Sequence, residues 1–282
     1  GTGWIVIDPL TVWETADRAR ALVDEHFGEI PVKAVIYTHS HLDHYGGLEG
    51  LLRSHDGDIQ GIPIIAPLGF LHESISETML AGPAMQVRGF HQSGRTLIPG
   101  PNGHIDHGIG KRVPHGTSSL VPPTREITLA EERLTIDGVV VGFTLTPGAE
   151  APASMVVSFD EQGAVCLGEI CNATMHNIYT LRGAQVRDAL AWSKYINQIS
   201  YSLADAVEVV FGSHNWPRFG REAAVSYLHS QRDLYKYIHD QTLRMANRGL
   251  DPDTIAEQLT LPSEQQGLPS SQGFYGTLQH NS

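Results

Sequence analysis

The 282-residue chain is 41% apolar and 18% charged, which excludes a disordered or collagen-like polymer and leaves material for a large core. Nineteen Lys and Arg against 31 Asp and Glu give a formal charge of −12, the wrong balance for a nucleic-acid partner. No apolar run approaches the roughly 18 residues of a membrane-spanning helix, and two cysteines, Cys166 and Cys171, exclude a disulfide framework. The unusual count is 15 His, a residue type that is the commonest metal ligand.

The first 60 residues alternate strand and helix signals. Trp4 to Asp8 reads as a buried strand ended by Pro9, residues 13–27 as an amphipathic helix, and Val32 to Tyr37 as a second strand. This βαβ pattern predicts an α/β fold with parallel neighbours. Pro63 to Pro67 reads as a further strand and residues 68–87 as one or two helices. Residues 94–125, rich in Pro and Gly and carrying His104, His107 and His115, have no steady period, which marks a functional or disordered loop. Strands resume at 133–136, 139–145, 155–159 and 164–167. A helix is expected at 184–200, a strand at 207–211, then helices at 221–246 and 252–259, with loose chain from 263 onward. The expected organisation is one α/β domain over 1–218 and the start of a helical segment over 219–282.

The second strand empties into a loop carrying His39, His41, Asp43 and His44. Open α/β sheets bind ligands beyond the carboxyl ends of their strands. Alternate residues of an extended loop face one way, so His39 and His41 can share one ion, while Asp43 and His44, past the turn, can face a second. The competing reading makes Asp43 a cap for the helix after Gly46-Gly47, which accounts for one residue of the four. Three more ligand types stand just past strand ends: Glu150 in Thr146-Pro147-Gly148-Ala149-Glu150, Glu169 after Gly168, and His214 after Gly212-Ser213. Cys166 falls within an apolar strand and reads as core; Cys171 is a further potential ligand. Arg182, five residues past Asn177, offers a guanidinium fork matched to the oxygens of a tetrahedral anion.

These motifs resemble the metallo-β-lactamase superfamily, whose H-x-H-x-D-H loop follows an early strand. Glu150-Ala151-Pro152-Ala153 stands where most members carry a Thr-Pro-Gly-His turn, and with Glu169 it is similar to the zinc-dependent alkylsulfatases that hydrolyse dodecyl sulfate. The stretches His176 to Leu190, Ser213 to Pro217 and Gln231 to Asp240 carry the same resemblance. It implies an αββα sandwich followed by a helical segment, and two zinc ions. His39, His41 and Glu150 would hold one, Asp43, His44 and His214 the other, with Glu169 bridging. It further implies Asn177 and Arg182 as sulfate-binding residues, Asp43, Glu169 and His280 as catalytic residues with His280 the proton donor, and a homodimer through the C-terminal helices. The partner is then a small-molecule alkyl sulfate. Resembling bacterial enzymes are often exported, and the sequence leaves the compartment open. Such relatives begin upstream of Gly1 and continue past Ser282, so the chain is expected to be a fragment or truncated relative, lacking a strand beside Trp4 to Asp8. Other ester hydrolases of this fold, acting on phosphoesters, lactones or thioesters, and a non-catalytic zinc-binding fragment are the alternatives.

Overall fold

Consecutive bulky apolar residues make Trp4–Ile7 (β1) and Val32–Ile36 (β2) a parallel pair, with Trp13–Phe27 (α1) as the crossover. The computed structural model describes residues 1–52, 59–94, 96–203 and 206–282. They form two compact units. The first comprises Gly1–Gly82, Val113–Pro147 and Ala151–Gly168; the second comprises Pro83–Arg112, Gly148–Glu150 and Glu169–Ser282.

In the first unit, Ile64–Pro67 (β3) and Arg125–Ile127 (β4) extend the parallel sheet in the order β1-β2-β3-β4, with β1 at its edge. The sequence did not predict β4, a polar three-residue strand. Strands β2 and β3 are buried nearly throughout, as parallel strands covered by helices must be. Ala16 of α1, Val35, Leu48 and Leu51 of α2 (Leu48–Leu52), Ile64 and Phe70 of α3 (Phe70–Ser74) share one core, in which the Tyr37 and Phe70 rings stack at 4.9 Å. Gly46 and Gly47 are required for close approach: a Cβ on either would stand 2.3 Å from a backbone oxygen, of Thr11 and of Pro9 respectively. Glu131–Ile136 (β5), Val139–Leu145 (β6), Met155–Phe159 (β7) and Ala164–Cys166 (β8) form an antiparallel meander. The two sheets are tied where Met155 donates its N–H to the Thr38 carbonyl at 2.8 Å and His39 bridges to Ser154.

In the second unit, Gly82–Ser93 (α4) leads into the irregular stretch expected from the sequence, of which Arg95 lies outside the described residues. Ala189–Leu203 (α5) and Arg221–Ala246 (α6) run antiparallel, with Trp192 stacked on Tyr235 at 4.4 Å and Ser200 bonded to His229 at 2.8 Å. Helix α5 starts five residues later than the expected 184. Asp188 caps it, accepting the Ala191 N–H at 2.9 Å, and Arg187 is drawn into the interior instead of starting the helix. Val209–Phe211 (β9) and Arg218–Phe219 (β10) make a short antiparallel pair before α6. After Pro252–Gln258 (α7), the segment expected to be loose is ordered as Ser263–Gln266 (α8), a 3₁₀ turn at Pro269–Ser271 and Leu278–Asn281 (α9). Its polar side chains are spent on backbone partners, as when Gln272 donates to the Gln266 and Leu268 carbonyls, a use that leaves no periodic signal. Among the described residues no helix is long and apolar enough to cross a membrane.

Candidate functional site

Four of the expected ligands lie in the first unit, where β2 ends at Ile36 and the chain runs on through Thr38 into a 3₁₀ segment, Leu42–His44. His39, His41 and His44 are buried, with the His39 ring centroid 3.8 Å from that of His44 and 4.9 Å from that of His41. Asp8 organises them. Its backbone, at φ 53°, is left-handed, a conformation that Asp tolerates better than most residues. Asp8 Oδ1 accepts the Thr38 N–H at 2.7 Å, while Oδ2 accepts the Thr38 hydroxyl at 2.7 Å and His44 Nδ1–H at 2.9 Å. Since the Thr38 proton goes to Asp8, Thr38 Oγ1 accepts from His39 Nδ1 at 2.9 Å. Both rings are thus held with Nδ1 as the donor, which leaves Nε2 as the nitrogen to face a metal.

Asp43 lies inside the 3₁₀ turn, and its Oδ2 is 3.3 Å from His44 Nε2. Burial opposes a charge on His44, but the Asp43 and Asp8 carboxylates outweigh it and hold its pKa well above the ordinary imidazole value. The pocket favours a cation. One donor atom each from Asp8, His39 and His44 fall within 4.8 Å of one another. Nitrogen and carboxylate donors of this kind suit zinc or a similar divalent ion. Glu77, in the π-helical segment Ile75–Leu80, brings Oε2 to 3.6 Å from His41 Nε2, and Ser74 anchors that segment on the Ser40 carbonyl.

Glu150, Glu169 and His214 lie in the second unit. The carboxylates of Glu150 and Glu169 are 2% and 3% exposed, so neither is an ordinary surface charge. His176, fully buried, donates Nδ1–H to the Asn177 carbonyl at 2.8 Å and places Nε2 3.0 Å from Glu169 Oε1 and 3.7 Å from Glu150 Oε1. His214 Nε2 stands 3.7 Å from Glu169 Oε1, and Asn172 Nδ2 reaches the same oxygen at 3.5 Å. Arg187 donates to the Glu150 carbonyl, to Glu150 Oε1 at 2.5 Å, to the Asn177 carbonyl at 2.8 Å and to Asn177 Oδ1. Arg182 is half-buried in the turn 180–183, its N–H on Gln92 Oε1 at 2.9 Å. It stands seven residues before α5.

The strap 175–178 is gripped by the C-terminal segment: Asn281 Nδ2 donates to the His176 carbonyl at 2.9 Å and its Oδ1 accepts the Ile178 N–H at 2.8 Å. Gly276 passes so close that a Cβ would sit 2.3 Å from the His176 oxygen. His280 itself is exposed, with Nδ1 on Thr277 Oγ1 at 3.0 Å. The rings of His104 and His107 lie 4.6 Å apart, and neither they nor His115 nor Cys171 join a group of three donors among the described residues.

A family model described as the metallo-beta-lactamase superfamily matches residues 1–214. The chain belongs to the metallo-β-lactamase superfamily. Within that superfamily it is similar to an alkyl/aryl-sulfatase of Saccharomyces cerevisiae, 43% identical over 280 residues, 99% of this chain and 43% of that protein. An (R)-specific secondary-alkylsulfatase of Pseudomonas sp. is 37% identical over 282 residues, 99% of this chain and 42% of that protein. Among solved structures, the stereoselective inverting sec-alkylsulfatase Pisa1 of Pseudomonas sp. superposes with a TM-score of 0.95 at 36% identity, over 99% of this chain and 44% of that one. The chain thus spans less than half the length of these relatives.

Sequence reasoning about this superfamily member missed Asp8, Glu77 and the roles of His176 and Arg187. Asp8 carried a readable signal, an acid ending a buried strand beside the strand that feeds the His loop. Glu77 carried none.

Proposed function

We propose that this chain carries the binuclear zinc site of an alkyl sulfate ester hydrolase, one ion held by His39, His41 and Glu150, the other by Asp43, His44 and His214, with Glu169 as bridge. The observation that carries the metal half of this reading is the Asp8–Thr38 network, which fixes both His39 and His44 with Nε2 as the ligand atom. Bound zinc supplies an acidified water and neutralises charge developing on the ester oxygens. The substrate class rests on similarity to alkylsulfatases along 99% of the chain.

The protein's own residues do the rest. Asn177 and the Arg182 fork orient the sulfate, a monoanion whose oxygens only accept hydrogen bonds. Asp43 and Glu169, among the residues that would hold the ions, would orient the attacking water. His280 gives a proton to the departing alkoxide, which is too basic to leave unaided. Two copies pair through the C-terminal helices, for which light scattering is the test. The deciding experiment is turnover of dodecyl sulfate beside a phosphate monoester and a lactone, with and without zinc. Release of inorganic sulfate that depends on zinc supports the reading, and faster turnover of either comparator overturns it.

A further inference from the structure

Arg187 is 6% exposed, a burial that guanidinium groups rarely accept without a fixed partner, and no step of the reaction above uses it. Its backbone N–H donates to the Ile178 carbonyl at 3.1 Å, holding its own chain against the strap. Its side chain faces two residues distant in sequence. Nε and Nη2 take the Glu150 carbonyl and Glu150 Oε1, while Nη1 takes the carbonyl and the Oδ1 of Asn177. One planar group therefore reaches the residue read as a zinc ligand and the residue read as a sulfate ligand.

The fork also decides which atoms each of them presents. Guanidinium nitrogens only donate, so the atom of Asn177 facing Arg187 is the amide oxygen, and the Nδ2 end is turned elsewhere as a pair of donors. Donors are what a sulfate needs. At Glu150 the guanidinium takes Oε1, which assigns Oε2 to the cation. A lysine ammonium carries similar charge but has no rigid fork, so it cannot hold both partners in one plane.

We propose that Arg187 is a positioning residue that locks the Glu150 carboxylate and the Asn177 amide into one element, coupling zinc affinity to sulfate binding. The inference rests on the ligand roles proposed above for Glu150 and Asn177. The test compares wild type with R187K, N177D and E150Q in the full chain. Three readouts are used: zinc affinity by competition with a chromophoric chelator, thermal unfolding, and KM and kcat for dodecyl sulfate at saturating zinc. Loss of a residue that orients a ligand costs about 10–100-fold in metal affinity. R187K is expected to lose zinc affinity by that factor and to raise KM while still folding. N177D keeps an oxygen toward Arg187 and loses the donor pair, so it is expected to keep zinc affinity and raise KM. Wild-type zinc affinity and KM in R187K, with E150Q losing zinc, would overturn the coupling and leave the ligand roles standing. Wild-type zinc affinity in E150Q overturns the ligand reading and the coupling together. N177D stands independently of whether R187K folds, and an unchanged KM in it overturns the assigned amide orientation.

Discussion

Exchanging Asp8 for Asn replaces one heavy atom and disturbs three hydrogen bonds. The carboxylate accepts the Thr38 N–H, the Thr38 hydroxyl and His44 Nδ1–H, and its side chain is 5% exposed, so water cannot substitute. An amide has one acceptor atom where the carboxylate has two. Turned to keep its oxygen toward His44 and the Thr38 hydroxyl, it points N–H₂ at the Thr38 N–H. That leaves one buried donor unsatisfied, at about 1–3 kcal/mol, and weakens the other two bonds from charged to neutral by about 1 kcal/mol each. The expected loss is therefore about 3–5 kcal/mol, a large part of the roughly 5–15 kcal/mol that a domain of this kind possesses. A second effect follows on the rings. The acceptor that orients His44 and, through Thr38, His39 becomes neutral and holds both rings more weakly, so zinc affinity falls by up to about 10–100-fold. Urea unfolding of the zinc-stripped protein measures the first effect and chelator competition the second. A D8N variant within 1 kcal/mol of wild type, or one binding zinc as tightly, would refute the account of how this loop is organised.

The remaining predictions concern the metal, the thiols and the C-terminal grip. Protein purified without chelator should contain about two zinc ions per chain, and a chelator should remove them and lower the thermal midpoint, which added zinc restores; a content near zero would show that this chain does not assemble the site by itself. Burial pushes the Cys166 thiol up to about 12 and raises that of Cys171 as well, so neither should react with iodoacetamide at neutral pH until the protein is unfolded. Exchange of Cys171 for Ser should leave the zinc content unchanged. N281A removes one acceptor and one donor from the strap, at a cost of about 1–3 kcal/mol, and should raise KM for dodecyl sulfate with zinc content unaltered; an unchanged KM would mean the strap holds without it. H280Q should lower kcat and not KM, and wild-type kcat would remove His280 from the mechanism.

Helix α1 was legible from the sequence at both ends because its apolar positions recur at helical spacing and Gly28 follows it at φ 80°. Helix α6 was equally readable, with Gly220 before it. Strands β6 and β7 were legible as apolar runs. The residues proposed as metal ligands stood out because each follows a strand, and strand ends are where an α/β sheet offers side chains to a ligand. Residues 184–188 misled because no period marks that Asp188 caps the helix and that Arg187 is buried against Glu150. The region after 263 looked loose because specific polar pairing, unlike amphipathicity, has no period. Strands β4 and β10 were invisible for a related reason: they exist through their neighbours, not through their own residues. Asp8 was read as the end of a strand, and only the left-handed backbone at that position turns it toward Thr38 and His44.

The grip of Asn281 on His176 and Ile178 joins residues 105 and 103 positions apart. A ribosome adding about 5–20 residues each second would complete that stretch roughly 5–20 s after the strap itself. Through that interval the strap can fold locally but has no clamp, and the buried carboxylates beside it have no settled enclosure. The clamp on this strap is therefore made well after the His loop and its partner Asp8, both of which lie upstream of it in the chain.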